Sequence, residues 1–164
     1  MKSQFTGFHP VRRDRLIQEA RHDSYQIKHK LPEPTVCQQC GAVFHDGRWQ
    51  WLSRPAQVHE KTCPACHRIH DAFPAGYVTV GGPFFKDHRE ELLRLVKNEE
   101  AHAKAEHPLK RIMKIEDQAD TTQITTTDIH LARGIGEALH HAYQGALEFH
   151  YNAQENLLRV VWER

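Results

Sequence analysis

Residues 37–41 read Cys37-Gln38-Gln39-Cys40-Gly41 and residues 63–66 read Cys63-Pro64-Ala65-Cys66, with 22 residues between Cys40 and Cys63. A Cys-x-x-Cys loop lets two thiolates converge on one ion while backbone amides point at the sulfurs, and two such loops close a tetrahedral shell. The spacing suits a short hairpin between two knuckles, as in zinc ribbons. Gly41 fits the first knuckle, where a positive φ relieves the turn. The chain holds four cysteines, all of them in these pairs. Met1 to Pro10 lacks the apolar run of a signal peptide, so the expected location is the cytoplasm, where four cysteines in this pattern favour metal over disulfides. Four thiolates leave no open coordination position, and the reading is a closed structural site for Zn2+. Iron in a rubredoxin-like site uses similar knuckles, and ligands alone do not distinguish the two. Few aromatic residues lie near the knuckles beyond Phe44, Trp49 and Trp51, which favours zinc. A dithiol redox pair is a third reading. His59 and His67 lie beside the second pair and are not expected to ligate.

N-terminal to the knuckles the charge is uneven. Residues 1–30 hold seven Lys or Arg against three acids, whereas the whole chain carries a net charge of only +1. A basic arm ahead of a near-neutral body is the footprint of a polyanion-binding protein, in which counterion release supplies affinity. A weakly helical reading runs from Val11 to His29, and Pro32 and Pro34 then lead an extended segment into Cys37. Hydrophobic residues make up 39% and charged residues 26%, a globular composition. No stretch approaches the roughly 18 to 20 apolar residues of a membrane span.

C-terminal to the knuckles the pattern is mixed. Tyr77 to Val80 alternates as a strand, and Gly81, Gly82 and Pro83 mark a turn. Lys86 to Glu106 is rich in helix formers, with Leu92, Leu93, Leu95 and Val96 on its apolar face. Arg111 to Glu116 and Gln123 to Thr127 read as strands around a turn at residues 117–120. Asp128 is placed to cap a helix from Ile129 to Gln144, with Ile129, Ala132, Ile135, Leu139, Ala142 and Tyr143 on one face and Gly145 at its end. Strands at Leu147 to Tyr151 and Leu157 to Trp162 follow. The order is strand, helix, strand, strand, helix, strand, plus one more strand. Six of these seven match the split βαβ pattern of ferredoxin-like domains, a sheet with both helices on one face. The fold class is therefore α+β: a basic arm over residues 1–30, a four-cysteine zinc ribbon over 31–75 and a ferredoxin-like αβ domain over 76–164.

Little in the chain asks for catalysis. Gly81-Gly82 is not followed by the Gly-Lys-Ser/Thr of a phosphate loop, no serine nucleophile elbow occurs, and Gly134-Ile135-Gly136 falls within a helix, where it allows close packing. The 14 histidines read as separate surface imidazoles. Glu99, Glu100 and Glu106 beside His102 resemble a metal-binding face, though a solvated charged helix explains them equally. In Gly47-Arg48-Trp49-Gln50-Trp51 the period of a strand puts both tryptophans on one face and Arg48 on the other. Such tryptophans either stack bases or cover a ribbon that has little core of its own.

Three segments carry a resemblance. Residues 37–51, 63–77 and 126–145 contain Cys-x-x-Cys-Gly-Ala-Val-Phe, Gly-Arg-Trp-x-Trp, Cys-Pro-Ala-Cys-x-Arg-Ile, Phe-Pro-Ala-Gly and Thr-Thr-Asp-Ile-His-Leu-Ala-Arg. Over these the chain resembles an uncharacterised bacterial family of short zinc-ribbon proteins. That family in turn looks like a distant relative of the Nmd-three proteins, large-ribosomal-subunit adaptors that begin with cysteine-rich knuckles followed by mixed αβ domains. This chain has fewer cysteines and no long C-terminal extension, so export-receptor binding is not carried over. The resemblance implies association with RNA or the ribosome.

The expected function is thus a noncatalytic, cytoplasmic zinc-binding factor associated with the ribosome or structured RNA. Arg12, Arg13, Arg15, Arg21, Lys28 and Lys30 are the expected phosphate contacts on the arm, with Arg48, Trp49 and Arg54 on the ribbon. The alternatives are a zinc ribbon that docks another protein, and a rubredoxin-like electron carrier.

Overall fold

The computed structural model describes residues 25–164, and within them the two Cys-x-x-Cys loops lie at one end of a small sheet. Its strands are β1 (Thr35–Val36), β2 (Val43–His45), β3 (Arg48–Gln50) and β4 (His59–Glu60), in the order β3-β2-β1-β4. β2 and β3 form the hairpin expected between the knuckles, turning through Asp46 and Gly47, both at positive φ. Gly41 sits at φ 78° and closes the first knuckle, its N–H donating to Cys37 O at 2.9 Å. The second knuckle is more than a loop. Pro64 opens a helix, α1 (Pro64–Asp71), with its fixed φ suited to the first helical position, and Cys63 is the N-cap residue.

The larger sheet comprises β5 (Gly76–Gly81), β6 (Ile112–Asp117), β7 (Thr121–Thr126), β8 (Ala146–Asn152) and β9 (Leu157–Glu163). Between β5 and β6 the expected single helix is two: α2 (Pro83–Asp87) and α3 (Arg89–Glu106), broken at His88. α4 (Ile129–Tyr143) starts at Asp128, whose Oδ1 accepts the Leu131 N–H at 2.9 Å. The apolar faces meet in one core. Val78, Val80, Ile124, Phe149, Leu158, Val160 and Trp162 from the strands pack against Leu92, Leu93 and Val96 of α3 and Ile129, Ala132, Ile135 and Leu139 of α4. Alternate residues on the other side of the sheet, among them Tyr77, Thr79 and Arg159, keep contact with solvent, as a period of two requires.

The strand order is β6-β7-β5-β9-β8. A split βαβ arrangement would seat β8, the strand after the second helix, directly beside β5. Instead β9 turns back from β8 and inserts between the two, pairing parallel with β5 and antiparallel with β8. The protein is accordingly a mixed α+β molecule with two sheets, and its larger sheet departs from the split βαβ arrangement expected from the sequence. The helical reading of Val11–His29 lies outside the described residues except for its last positions, where residues 25–29 form no helix.

The two sheets are joined by a few definite contacts. Trp51 leaves the end of β3, and its indole N–H donates to Lys104 O on α3 at 2.7 Å. Arg111, just ahead of β6, reaches the cysteines themselves. No helix among the described residues is long and apolar enough to cross a membrane.

Candidate metal centre

Each cysteine is placed by a local element. Cys37 directly follows β1, Cys40 sits in the turn ahead of β2, Cys63 caps α1, and Cys66 lies in that helix's first turn. Their four Sγ atoms lie within 4.8 Å of one another, in position to hold a metal ion. Cys37, Cys63 and Cys66 are buried and Cys40 is partly so, and Ala42, Ala65, Trp49 and Leu109 pack around them. Trp49, packed against the cysteines, also meets Phe44 edge-on, ring centroids 5.6 Å apart. Of the two tryptophans expected on one face, Trp49 thus covers the sulfurs and Trp51 ties the small sheet to α3.

Thiolates crowded this closely need donors. The Cys63 N–H donates to Cys37 Sγ at 3.2 Å, and the Cys66 N–H to Cys63 Sγ at 3.4 Å. The rest comes from Arg111, which is only 8% exposed. Its Nη1 lies 3.3 Å from Cys66 Sγ, and its Nη2 lies 3.2 Å from Cys63 Sγ and 3.5 Å from Cys40 Sγ. The Arg111 Nε–H donates to Pro108 O at 3.0 Å, which fixes the plane of the guanidinium. The main chain is held as well: Arg111 N–H donates to Thr127 Oγ1 at 2.9 Å, and that hydroxyl donates to Leu109 O. Sequence reasoning placed Arg111 at the start of a strand and gave it no role. Its signal lies in a tertiary contact made across 45 residues of sequence from Cys66, and not in any local motif.

The electrostatics follow from this geometry. Cys40 ionises readily: the Cys63 thiol donates to it, and although burial opposes the charge, the Ala42 amide and Arg111 bring it down to about 4. Cys63 is pushed up, because it keeps its proton to donate to Cys40 and because it is buried. Burial also raises Cys66, partly offset by Arg111. Burial works against the charge on Arg111, but the thiols around it raise its pKa overall. A divalent ion on four thiolates leaves two negative charges in a buried place, and a cation resting on three of the sulfurs offsets one of them. The donor set therefore fits a soft or borderline dication with no vacant position for substrate.

Among the described residues this is the one cluster of metal-ligating side chains. His59 and His67 are exposed and stand apart from it, and Glu100 spends an oxygen on the Ile112 N–H at 2.7 Å. Of the expected phosphate contacts, Arg12, Arg13, Arg15 and Arg21 lie outside the described residues. Lys28, Lys30 and Arg48 are exposed, and Arg54 pairs with Glu60 at 2.6 Å. No protein-family model, curated protein or solved structure matches the chain.

Proposed function

We propose that the chain is a noncatalytic zinc-binding factor that associates with RNA, with the ribosome as the natural setting for such an interaction. Zinc is the ion that best suits four thiolates closed into a tetrahedral shell and screened by Trp49 and Arg111, and in that setting it stabilises a ribbon too small to hold itself together. The observation that carries the RNA reading is the distribution of ion pairs beside this centre. Arg48, Lys28 and Lys30 are exposed and meet no carboxylate among the described residues, while Arg54 on the same ribbon is paired with Glu60. Cations without partners on a rigid module can neutralise phosphates.

A second reading, a ribbon that docks another protein, is favoured by Ile69 and Phe73 at the end of α1, which are 42% and 56% exposed. The test is cosedimentation of the tagged full chain with ribosomes across a salt series, with metal content measured on the same preparation. Comigration that falls steeply with salt, at one zinc per chain, supports the RNA reading. Comigration indifferent to salt favours the protein reading, and no comigration together with no binding to ribosomal RNA rejects association with the ribosome.

A further inference from the structure

Where the cysteine module meets the larger sheet, the surface closes around a cleft of about 430 Å³, inside the size range of sites that hold small organic ligands. One wall comes from the β2–β3 hairpin, with Phe44, Arg48 and Trp49, and the other from the segment between α3 and β6, with Pro108, Leu109 and Lys110. Trp49 and Leu109, which line the cleft, also pack against the cysteines, so the metal centre braces the cleft from behind.

The chemistry of this lining is specific. It combines an aromatic slot with two permanent cations, one from each wall, and neither Arg48 nor Lys110 has an acidic partner among the described residues. Asp128 is the one carboxylate on the lining, and its Oδ1 is engaged with the Leu131 N–H at the start of α4. His29 and His107 add imidazole edges that donate or accept. A matching ligand has a flat, weakly polar body, hydrogen-bonding edges and an adjacent anion. An apolar peptide side chain would fill the slot and leave the cations unused. A duplex would offer phosphates while keeping its bases stacked out of reach.

We propose that the cleft captures a single unstacked nucleotide of an RNA strand, its base in the slot beside Trp49 and its phosphate held by Arg48 and Lys110. This rests on the RNA reading above and deepens it: the protein recognises a single-stranded segment, bulge or loop, with the metal centre as the rigid back of the pocket. Lys28 and Lys30 lie outside the lining and serve neighbouring phosphates without regard to strandedness.

The test uses the zinc-loaded full chain, a labelled single-stranded RNA octamer of mixed sequence, a blunt RNA duplex of the same length and free mononucleotides as competitors. The octamer is expected to bind at least tenfold more tightly than the duplex. Trp49→Leu and Lys110→Gln should each weaken the octamer by about tenfold, and Lys110→Gln should also reduce the steepness of the salt dependence by about one. Lys28→Gln should weaken octamer and duplex alike. Trp49 touches the cysteine core, so metal content is measured for each variant. If Trp49→Leu loses zinc, Lys110→Gln, which has no contact with the sulfurs, decides the matter. Equal binding of octamer and duplex, or a Lys110→Gln protein that binds as the parent does, overturns the cleft while leaving RNA association intact. Mononucleotides that displace the octamer at its own concentration overturn the strand as ligand in favour of a free nucleotide. No binding to any RNA removes the reading on which the proposal stands.

Discussion

The guanidinium of Arg111 is buried against sulfur, and a buried charge is tolerated only where its partners remain. Replacing it with leucine would leave the thiolate cluster without its nearest cation and with three sulfurs short of a donor. We expect Arg111→Leu to weaken metal binding by about 10- to 100-fold, measured by competition with a chromophoric chelator. Arg111→Lys should recover only part of the loss, because an ammonium cannot reach three acceptors as the planar fork does. The four ligands themselves were legible in the sequence, since Cys-x-x-Cys spacing is a local property. Arg111 was not legible, because what distinguishes it from a solvated arginine is a fold that carries it to Cys63 and Cys66. A simpler residue-scale case is Asp117, which accepts from the Thr122 hydroxyl at 2.7 Å and pairs with Arg89 at 2.8 Å. These contacts hold its carboxyl below the usual value. The unfolded chain therefore takes up that proton first, so the stabilisation is present above the unfolded carboxylate range near pH ~3.9 and is lost as pH falls through the lower folded value. Asp117→Asn should lower the urea midpoint at pH 7, and the gap from the parent protein should close in acid.

Among the elements, α4 was readable almost to its ends, since Asp128 and the apolar positions from Ile129 to Leu139 carry both cap and period. Two glycines flanking Ile135 in that helix now separate into different tasks. A Cβ on Gly136 would lie 2.6 Å from Val160 Cγ1 and 3.0 Å from Leu147 Cδ1, so the helix rests directly on β8 and β9 there. A Cβ on Gly134 would meet nothing within 4 Å. Gly136→Ala should therefore destabilise by about 1–3 kcal/mol through overpacking, while Gly134→Ala should stabilise by about 0.5–1 kcal/mol through helix propensity. Denaturant unfolding of the two single variants measures both signs. α1 escaped sequence reading although Pro64 marked its start, because Cys63-Pro64-Ala65-Cys66 satisfies a metal knuckle and a capped first turn at once, and a reader who sees the first does not need the second. The break at His88 escaped for a different reason: residues next to it favour helix, and the burial of Phe85 and Leu92 on its two sides is a tertiary property.

At the scale of the molecule there are two separate apolar clusters, one around the cysteines and one between the larger sheet and its helices. Metal binding in small ribbons supplies roughly 10–16 kcal/mol, and the cysteine cluster is too small to replace it. Stripping the ion with a chelator at neutral pH should expose the amides of β1 to β3 to hydrogen exchange while those of β5, β7 and β9 stay protected. Loss of protection in both sets together would mean that the clusters unfold as one. The α+β class was legible from alternating patterns, but the seat of β9 was not, since a strand's own sequence does not say which neighbour it takes. That seat has a consequence for a chain emerging from its N-terminus. All four metal ligands are in hand once Cys66 has been made, whereas Gly76 of β5 must wait for Leu158 before its second edge is covered. Once Arg111 has followed, the growing polypeptide is a complete metal module trailing a half-built sheet with an open edge along β5. A nascent chain arrested before β9 would present that edge to chaperones, with its cysteines already out of reach of oxidants.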